Sequence, residues 1–182
     1  VLPGQEVYDV AFHPNGSSLA YLAKTKDNHA RLYRYDLGAA EPRVLPVTVR
    51  LQVRGLNFDP PGRLLTFVTP QATLARWDWD TEALVPSGSL TAFQWAPAPG
   101  GRWAATAGPD NSVALCDLDG GTRLLALPPE ESEVWCLAWS PDGQRLALGL
   151  SDGSISLWDL AQVRDRLDDF GVRIPSMRPP PR

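Results

Sequence analysis

The 182-residue chain is 43% hydrophobic, with a net charge of −4 and a pI of about 5.1. That length supports one ordinary domain with a sizeable core, and the apolar content excludes wholesale disorder. The acidic balance gives no basic footprint for nucleic acid, and no apolar run reaches the roughly 18 residues that cross a bilayer.

The chain starts at Val1 rather than Met. It therefore reads as processed, trimmed or cut from something longer, and an upstream targeting signal stays open. Val7 to Val49 predicts four short strands. An inner strand ends at Phe12-His13-Pro14-Asn15-Gly16, and a second strand is followed by a longer turn over Lys24 to His29. A third strand ends at Tyr35-Asp36-Leu37, and a fourth covers Arg43 to Val49. Gln52 to Pro86 repeats the pattern with Phe58-Asp59-Pro60-Pro61-Gly62, Trp77-Asp78-Trp79 and an apolar run over Ala83 to Val85. Thr91 to Leu127 repeats it with Trp95-Ala96-Pro97, Gly100-Gly101, Cys116-Asp117-Leu118 and a run over Thr122 to Leu127.

Val134 to Asp159 is the most regular unit, with Trp139-Ser140-Pro141-Asp142-Gly143, Ser151-Asp152-Gly153 and Trp158-Asp159-Leu160. Asp-Gly between apolar runs predicts tight primed hairpin turns, because Gly supplies positive φ freely. No fourth strand follows this unit. An apolar residue stands three positions before each aspartate motif: Leu32, Leu74, Val113 and Ile155. The aspartates Asp36, Asp78, Asp117 and Asp159 recur at intervals of 42, 39 and 42 residues. Two motifs repeating in phase predict four units built on four short antiparallel strands, the fourth unit lacking its last strand. Their bounds are about 7–49, 52–86, 91–127 and 134–159, within residues 1–160.

Leu160, Val163, Leu167 and Phe170 recur at helical spacing and predict an amphipathic helix over residues 160–171, stopped at Gly171. Its apolar face is expected to pack on the strands. The Pro-rich tail, residues 172–182, is expected to be extended or disordered. Its end, Arg178 to Arg182, could serve as an extended proline ligand, though a solvated end suits it better.

Four strands per repeat of about 40 residues, each with an aromatic-Asp near the end of the third, resembles the WD-repeat β-propeller family. The resemblance covers about Val7 to Leu160 and implies an all-β fold of four-stranded blades, four blades being present, with a short C-terminal helix. The chain departs from the family where Cys116 and Tyr35 replace the usual Trp, and where all four units lack the Gly-His dipeptide. In the family that His joins a buried network with Asp, Ser or Thr, and Trp. Only Asp152 and Asp110, and Trp77 and Trp158, correspond to it here. The blades are therefore expected to rely on apolar packing. Asp36, Trp77, Asp78, Asp117, Asp152, Trp158 and Asp159 are the structural positions. Four blades are fewer than usually close a ring. The chain is thus read as the C-terminal part of a larger bacterial propeller, or as a half-ring that pairs with a second copy. Val1-Leu2-Pro3 would be the end of an outer strand. Open strand edges and blade faces invite association.

Motifs for chemistry are thin. Gly149-Leu150-Ser151-Asp152-Gly153 has the spacing of a nucleophile elbow, but an alternating strand follows it where a helix is needed, and no His lies downstream. His13 and His29 are too few for a His-based metal cluster, and Cys116 and Cys136 lack CxxC spacing. Both cysteines sit in apolar runs and are expected to be buried and unpaired. Asp117-Leu118-Asp119-Gly120-Gly121 lacks the third spaced oxygen and the closing Glu of a calcium loop. His13 is expected in an exposed turn. Trp77, Trp95, Trp139 and Trp158 are expected in the core. No catalytic, cofactor or metal residue is assigned, and no cofactor is expected.

The function that the resemblance implies is a non-catalytic protein–protein interaction scaffold. Its candidate partner-binding rim lies at the start of the inner strands. Tyr8, Arg54, Thr91 and Trp135 are taken as one repeat position; Glu6, Gln52, Ser89 and Glu133 stand two residues earlier. Trp, Tyr and Arg dominate binding hot spots. The expected partner is a protein or peptide, with no nucleic acid and no membrane, and with self-association through the end blades as a further mode. The alternative is the sensor or regulatory propeller of a larger multidomain enzyme. The expected location is cytoplasmic.

Overall fold

The structure, a computed structural model, describes residues 6–24, 30–48, 55–69, 71–86, 90–175 and 177. The chain divides into two compact units, residues 1–87 and 88–182. The first holds two antiparallel meanders: β1 (Glu6–Phe12), β2 (Ser18–Lys24), β3 (Ala30–Asp36) and β4 (Arg43–Thr48), then β5 (Asn57–Phe58), β6 (Leu64–Val68), β7 (Leu74–Asp78) and β8 (Ala83–Val85). The second holds β9 (Gln94–Pro97), β10 (Trp103–Ala107), β11 (Val113–Asp117) and β12 (Thr122–Leu127), then β13 (Val134–Trp139), β14 (Arg145–Leu150) and β15 (Ile155–Asp159), followed by α1 (Leu160–Asp169). These are four antiparallel propeller blades and a short C-terminal helix. Among the described residues the fourth blade has three strands.

One turn is built four times. Backbone N–H groups of Gly16, Gly62, Gly101 and Gly143 donate to the carbonyls of His13, Asp59, Ala98 and Ser140, and all four glycines have positive φ. The same four carbonyl residues donate to Ser18, Leu64, Trp103 and Arg145 at 2.8–2.9 Å. The Asp142-Gly143 and Asp152-Gly153 turns are not the expected two-residue primed turns. Those need positive φ at the first central residue, and in type I′ at both, and Asp142 and Asp152 are not among the positive-φ residues. Each hairpin instead has a longer loop in which the glycine alone turns left-handed.

The turn bonds also move one motif. In the third blade Ala98 occupies the place of His13, Asp59 and Ser140, so Pro97, not Trp95, stands where Phe12, Phe58 and Trp139 stand. Strand register agrees: Phe12, Phe58, Pro97 and Trp139 face Leu19, Leu65, Ala104 and Leu146. Trp95 lies two residues earlier and is buried at that different position.

A sheet of alternating residues has two faces, and each must be covered. In the first unit Ala20, Leu22 and Leu32 of one blade pack with Leu65, Phe67 and Trp77 of the next. His13 joins the two blades: its Nε2 lies 2.8 Å from the Gly62 carbonyl oxygen, and its ring stacks on Trp79 and meets the edge of Phe58. It is therefore part-buried rather than exposed. Arg34 covers the other face of this cluster, its guanidinium 4.5 Å from the Trp79 ring centroid. In the second unit Ala105, Val113 and Leu115 pack with Leu146 and Leu148, and the Trp139 indole donates to the Ala96 carbonyl at 3.0 Å. Burying a leucine fully is worth about 1.5–3 kcal/mol, so Leu146 and Leu148 anchor this junction.

Several core expectations change. Trp77 and Trp95 are buried, but Trp139 and Trp158 are only half-buried. Cys116 is buried, whereas Cys136 is exposed, because it lies on the face of the fourth blade turned away from the third. Ile155 and Leu157 share that face and are 77% and 63% exposed. The helix is capped as its sequence implies: the Asp159 carboxylate accepts from the Gln162 N–H at 3.1 Å, and Gly171 ends it at φ +75, its N–H donating to the Asp168 carbonyl and that of Val172 to Leu167. Leu160 is buried, but Phe170 is 83% exposed and does not join the apolar face. The tail is not wholly free, since Met177 is buried in the core of the second unit. The expected outer strand at Val1-Leu2-Pro3 and the tail's Arg178 to Arg182 lie outside the described residues.

Candidate partner-binding rim

Each inner strand opens at the end of its blade opposite the repeated glycine turn. In β1 the pairing with β2 slips between Val7 and Asp9, and in β13 the pairing with β14 slips between Val134 and Cys136. A bulge leaves one residue unpaired and re-aims its side chain. Those residues are Tyr8 and Trp135. The Tyr8 hydroxyl donates to the Glu6 carboxylate at 2.9 Å, and the Trp135 indole to the Glu133 carboxylate at 3.3 Å. Trp135 is 60% exposed and Tyr8 half-buried. The bond to Glu6 is the main cause that raises the Tyr8 pKa above its ordinary value. Lys24 stands 3.9 Å from Glu6.

The third blade differs from the sequence reading. Counting from the shared turn, Phe93 occupies the position of Tyr8 and Trp135, while Thr91 occupies that of Glu6 and Glu133. Thr91 makes an isolated bridge, the strand breaks over Ala92 and Phe93, and β9 begins at Gln94. Both Thr91 and Phe93 are exposed. Phe93 was missed because Trp95-Ala96-Pro97 mimics the repeated motif two residues too early. Gln52, Arg54 and Ser89 lie outside the described residues.

Within the second unit Thr91, Phe93, Glu133 and Trp135 sit at the same end, since β9 packs beside β13. Three loops frame them: Gly108–Ser112, Pro128–Glu133 and Ser151–Ser154. The Glu130 N–H donates to the Asn111 carbonyl, and the Ser151 N–H to the Glu133 carbonyl. The Ser132 hydroxyl donates to Asp152 at 2.9 Å. Glu130 points inward: its carboxylate accepts from the Ser156 hydroxyl and the Trp158 indole, both at 2.9 Å. It thus supplies an acceptor for the Trp158 indole. Asp152 instead holds its own turn. Its carboxyl is pushed below the usual range by hydrogen bonds from Ser154 and then Ser132; that of Asp110 falls chiefly through the Ser112 hydroxyl.

The repeated aspartates lie at the opposite end and serve structure. Asp78 is buried and accepts from the Thr81 and Asp80 N–H groups and from Arg63; the Thr81 bond contributes most in lowering its pKa to about 2. Arg102 bonds Asp117 at 2.9 Å, and Arg145 stands 4.0 Å from Asp159. Asp36 pairs with Arg34 of its own strand. Asp117 also accepts from the Asp119 N–H, so this segment is an ion-paired turn. Ser151 lies in a strand–turn–strand hairpin, where Leu150 donates to the Ser154 carbonyl at 3.0 Å. Among the described residues no three His, Cys, Asp or Glu converge as metal ligands. No helix among them is long and apolar enough to cross a membrane.

Comparison with known proteins agrees with this architecture. The WD40 family profile, described as WD domain, G-beta repeat, matches residues 121–159, the last strand of the third blade and all of the fourth. The chain is 26% identical over 129 residues to the transcription factor unc-37 of Caenorhabditis elegans, covering 69% of this chain and 21% of that protein. It is 34% identical over 110 residues to the WD repeat-containing protein VIP3 of Arabidopsis thaliana, covering 58% of this chain and 34% of that one. A stretch of 36 residues is 58% identical to the probable cytosolic iron-sulfur protein assembly protein 1 of Cryptococcus neoformans, or 19% of this chain and 8% of that protein. The chain thus spans about a third or less of the length of these relatives.

Proposed function

Residues 121–159 being a WD40 repeat, a kind of unit that serves in general as a non-catalytic interaction scaffold, we propose that the chain binds a protein or peptide partner through the rim at the start of its inner strands. The observation that carries this reading is Trp135, 60% exposed on a strand bulge and tethered through its N–H to Glu133. An exposed indole held in one orientation loses little rotamer freedom on binding, which favours it as an anchor. Tyr8 with Glu6 repeats the arrangement in the first blade; Arg54, Gln52 and Ser89 are further candidates by their place in the sequence repeat. The blades act as rigid supports, and specificity resides in the side chains that the bulges present. The greater length of the relatives supports reading these blades as part of a larger propeller. The relatives named are eukaryotic, and nothing in them favours the expected bacterial source.

A photo-crosslinking residue placed at position 135 tests the rim in the native host. A discrete protein adduct at 135, absent when the same residue replaces exposed Glu41, is expected. Equal labelling at both positions would sink the reading.

A second reading, association through blade faces, is favoured by Ile155, Leu157 and Cys136, exposed on one face of the last blade. Sedimentation of the chain against Leu157→Asp checks it; a wild type that sediments as a monomer rejects it.

A further inference from the structure

Among the described residues, the loops at the rim end of the second unit carry negative charge alone. Residues 90–93, 108–112, 127–133 and 150–154 contain Asp110, Glu130, Glu131, Glu133 and Asp152, and no Lys, Arg or His. Glu130 is spent on Trp158 and Ser156, but Asp110, Glu131, Glu133 and Asp152 are exposed. The described cations of this unit lie outside those loops: Arg102 and Arg145 are at the opposite end with Asp117 and Asp159, and Arg164, Arg166 and Arg173 are in or after the helix. Arg123, on β12, is close enough to act electrostatically on Asp110, so the acidic patch is centred on Glu131, Glu133 and Asp152.

Against this acidic field stand two exposed aromatic side chains, Phe93 at 37% and Trp135 at 60%. They reach the same end from neighbouring inner strands. An acidic field repels phosphates and anionic lipid, and it raises the local concentration of cations. An indole face attracts Arg and Lys head groups, most strongly when a carboxylate stands beside it. Glu133 stands there, bonded to the indole N–H at 3.3 Å, so one of its oxygens stays free for a second donor.

We propose that this end of the second unit binds an Arg- or Lys-bearing segment of a partner protein, its cationic heads lying over Trp135 and against Glu131, Glu133 and Asp152. The inference rests on the rim reading and adds the chemistry of the partner. Asp110 and Asp152 remain ionised throughout the neutral range, since their hydrogen bonds hold them low, so the attraction does not fade near neutrality. It weakens as salt screens it.

The test is calorimetric titration of the whole chain with three decapeptides, alternating Ala with Arg, Gln or Glu. The Arg peptide is expected to bind at low ionic strength and to weaken with added salt, while the Gln and Glu peptides do not bind. Trp135→Ala and the combined Glu131→Gln, Glu133→Gln variant are each expected to weaken it roughly tenfold. Glu41→Gln, in the other unit, should bind as the wild type does. Circular dichroism confirms that each variant is folded, and Trp135→Phe, which keeps a ring, should retain most of the affinity. Arg-peptide binding that both rim variants leave unchanged overturns the proposal. Binding of the Gln or Glu peptide that Trp135→Ala abolishes overturns the cationic partner and leaves the rim reading standing. No binding by any peptide, together with no crosslink at position 135, overturns both.

Discussion

The Trp135 indole N–H donates to the carboxylate of Glu133, two residues earlier on the same strand, at 3.3 Å. Two residues apart on a regular strand share a face; the bulge between Val134 and Cys136 alters that geometry and leaves the ring 60% exposed. The indole is therefore displayed rather than used for packing. Trp135→Ala is expected to change unfolding free energy by less than about 1 kcal/mol in urea melts, as for other surface positions. A loss of several kcal/mol would show that the ring supports the blade.

His13 has the opposite character. Its ring bridges two blades through the Gly62 carbonyl, Phe58 and Trp79. His13→Ala should cost about 1–3 kcal/mol, from a lost hydrogen bond and lost ring contacts. Gly62→Ala probes the same contact from the other side. Gly62 has φ +80, and a Cβ there would lie 2.6 Å from His13 Nε2. Both strain and clash predict destabilisation, and the double variant should lose less than the sum of the two. Strict additivity in thermal melts would show that the two positions are independent.

Trp77 and Trp158 occupy the same repeat position but differ in depth. Trp77 is 2% exposed, and Trp77→Ala should cost about 3–5 kcal/mol. Trp158 shares the sequence pattern of a core residue. It is half-buried, so Trp158→Ala should cost about half that. The Glu130 carboxylate would then lose its indole donor. Glu130→Leu leaves the Trp158 N–H and the Ser156 hydroxyl without this acceptor and should cost about 1–3 kcal/mol. Chemical denaturation of the three variants orders them; equal losses for Trp77 and Trp158 would contradict the burial difference.

Asp78 gives a pH dependence with a definite sign. Its folded pKa is lowered to about 2, with the Thr81 backbone N–H as the main cause, below the ordinary value near 3.9. A depressed carboxyl stabilises the folded state fully above the unfolded pKa, and the contribution is lost as pH falls through the folded one. Asp142 is lowered to about 2 as well, chiefly by the Ser140 hydroxyl. Stability should therefore decline between about pH 4 and pH 2. Asp78→Asn should differ from the wild type at neutral pH and converge with it at the acid end. A gap that persists unchanged at pH 2 would assign the loss to geometry rather than ionisation.

The blades were legible because their signals are local. A left-handed glycine ends each first turn, an aspartate ends each third strand, and both recur in phase. What escaped depends on contacts between distant residues or on choices between similar ones. Pro97 and Pro99 both fit the repeated proline, and only the Ala98 turn bonds show which is equivalent, so Phe93 was passed over for Thr91. His13 resembles an ordinary turn residue until the second blade brings Trp79 against it. Glu130 sits in a polar run that reads as a loop, and its role needs Trp158, 28 residues later. Cys136 alternates into an apolar strand, but it lies on the face turned away from the third blade and is exposed.

The ion pairs at the glycine-turn end have an evolutionary corollary. Arg63 with Asp78, Arg102 with Asp117 and Arg145 with Asp159 each fasten the second and third strands of one sheet. A backbone bond closes the same loop in every blade, from Leu37, Trp79, Leu118 and Leu160 to Ser17, Arg63, Arg102 and Gln144. These bonds join residues of one blade, although His13 and Arg34 of the first blade also reach the Gly62–Trp79 loop of the second. A duplicated stretch of gene that encodes one blade therefore arrives with its clasp already fitted. Only the flat faces must then be matched afresh, and such proteins can lengthen by whole repeats without relearning how to close a loop.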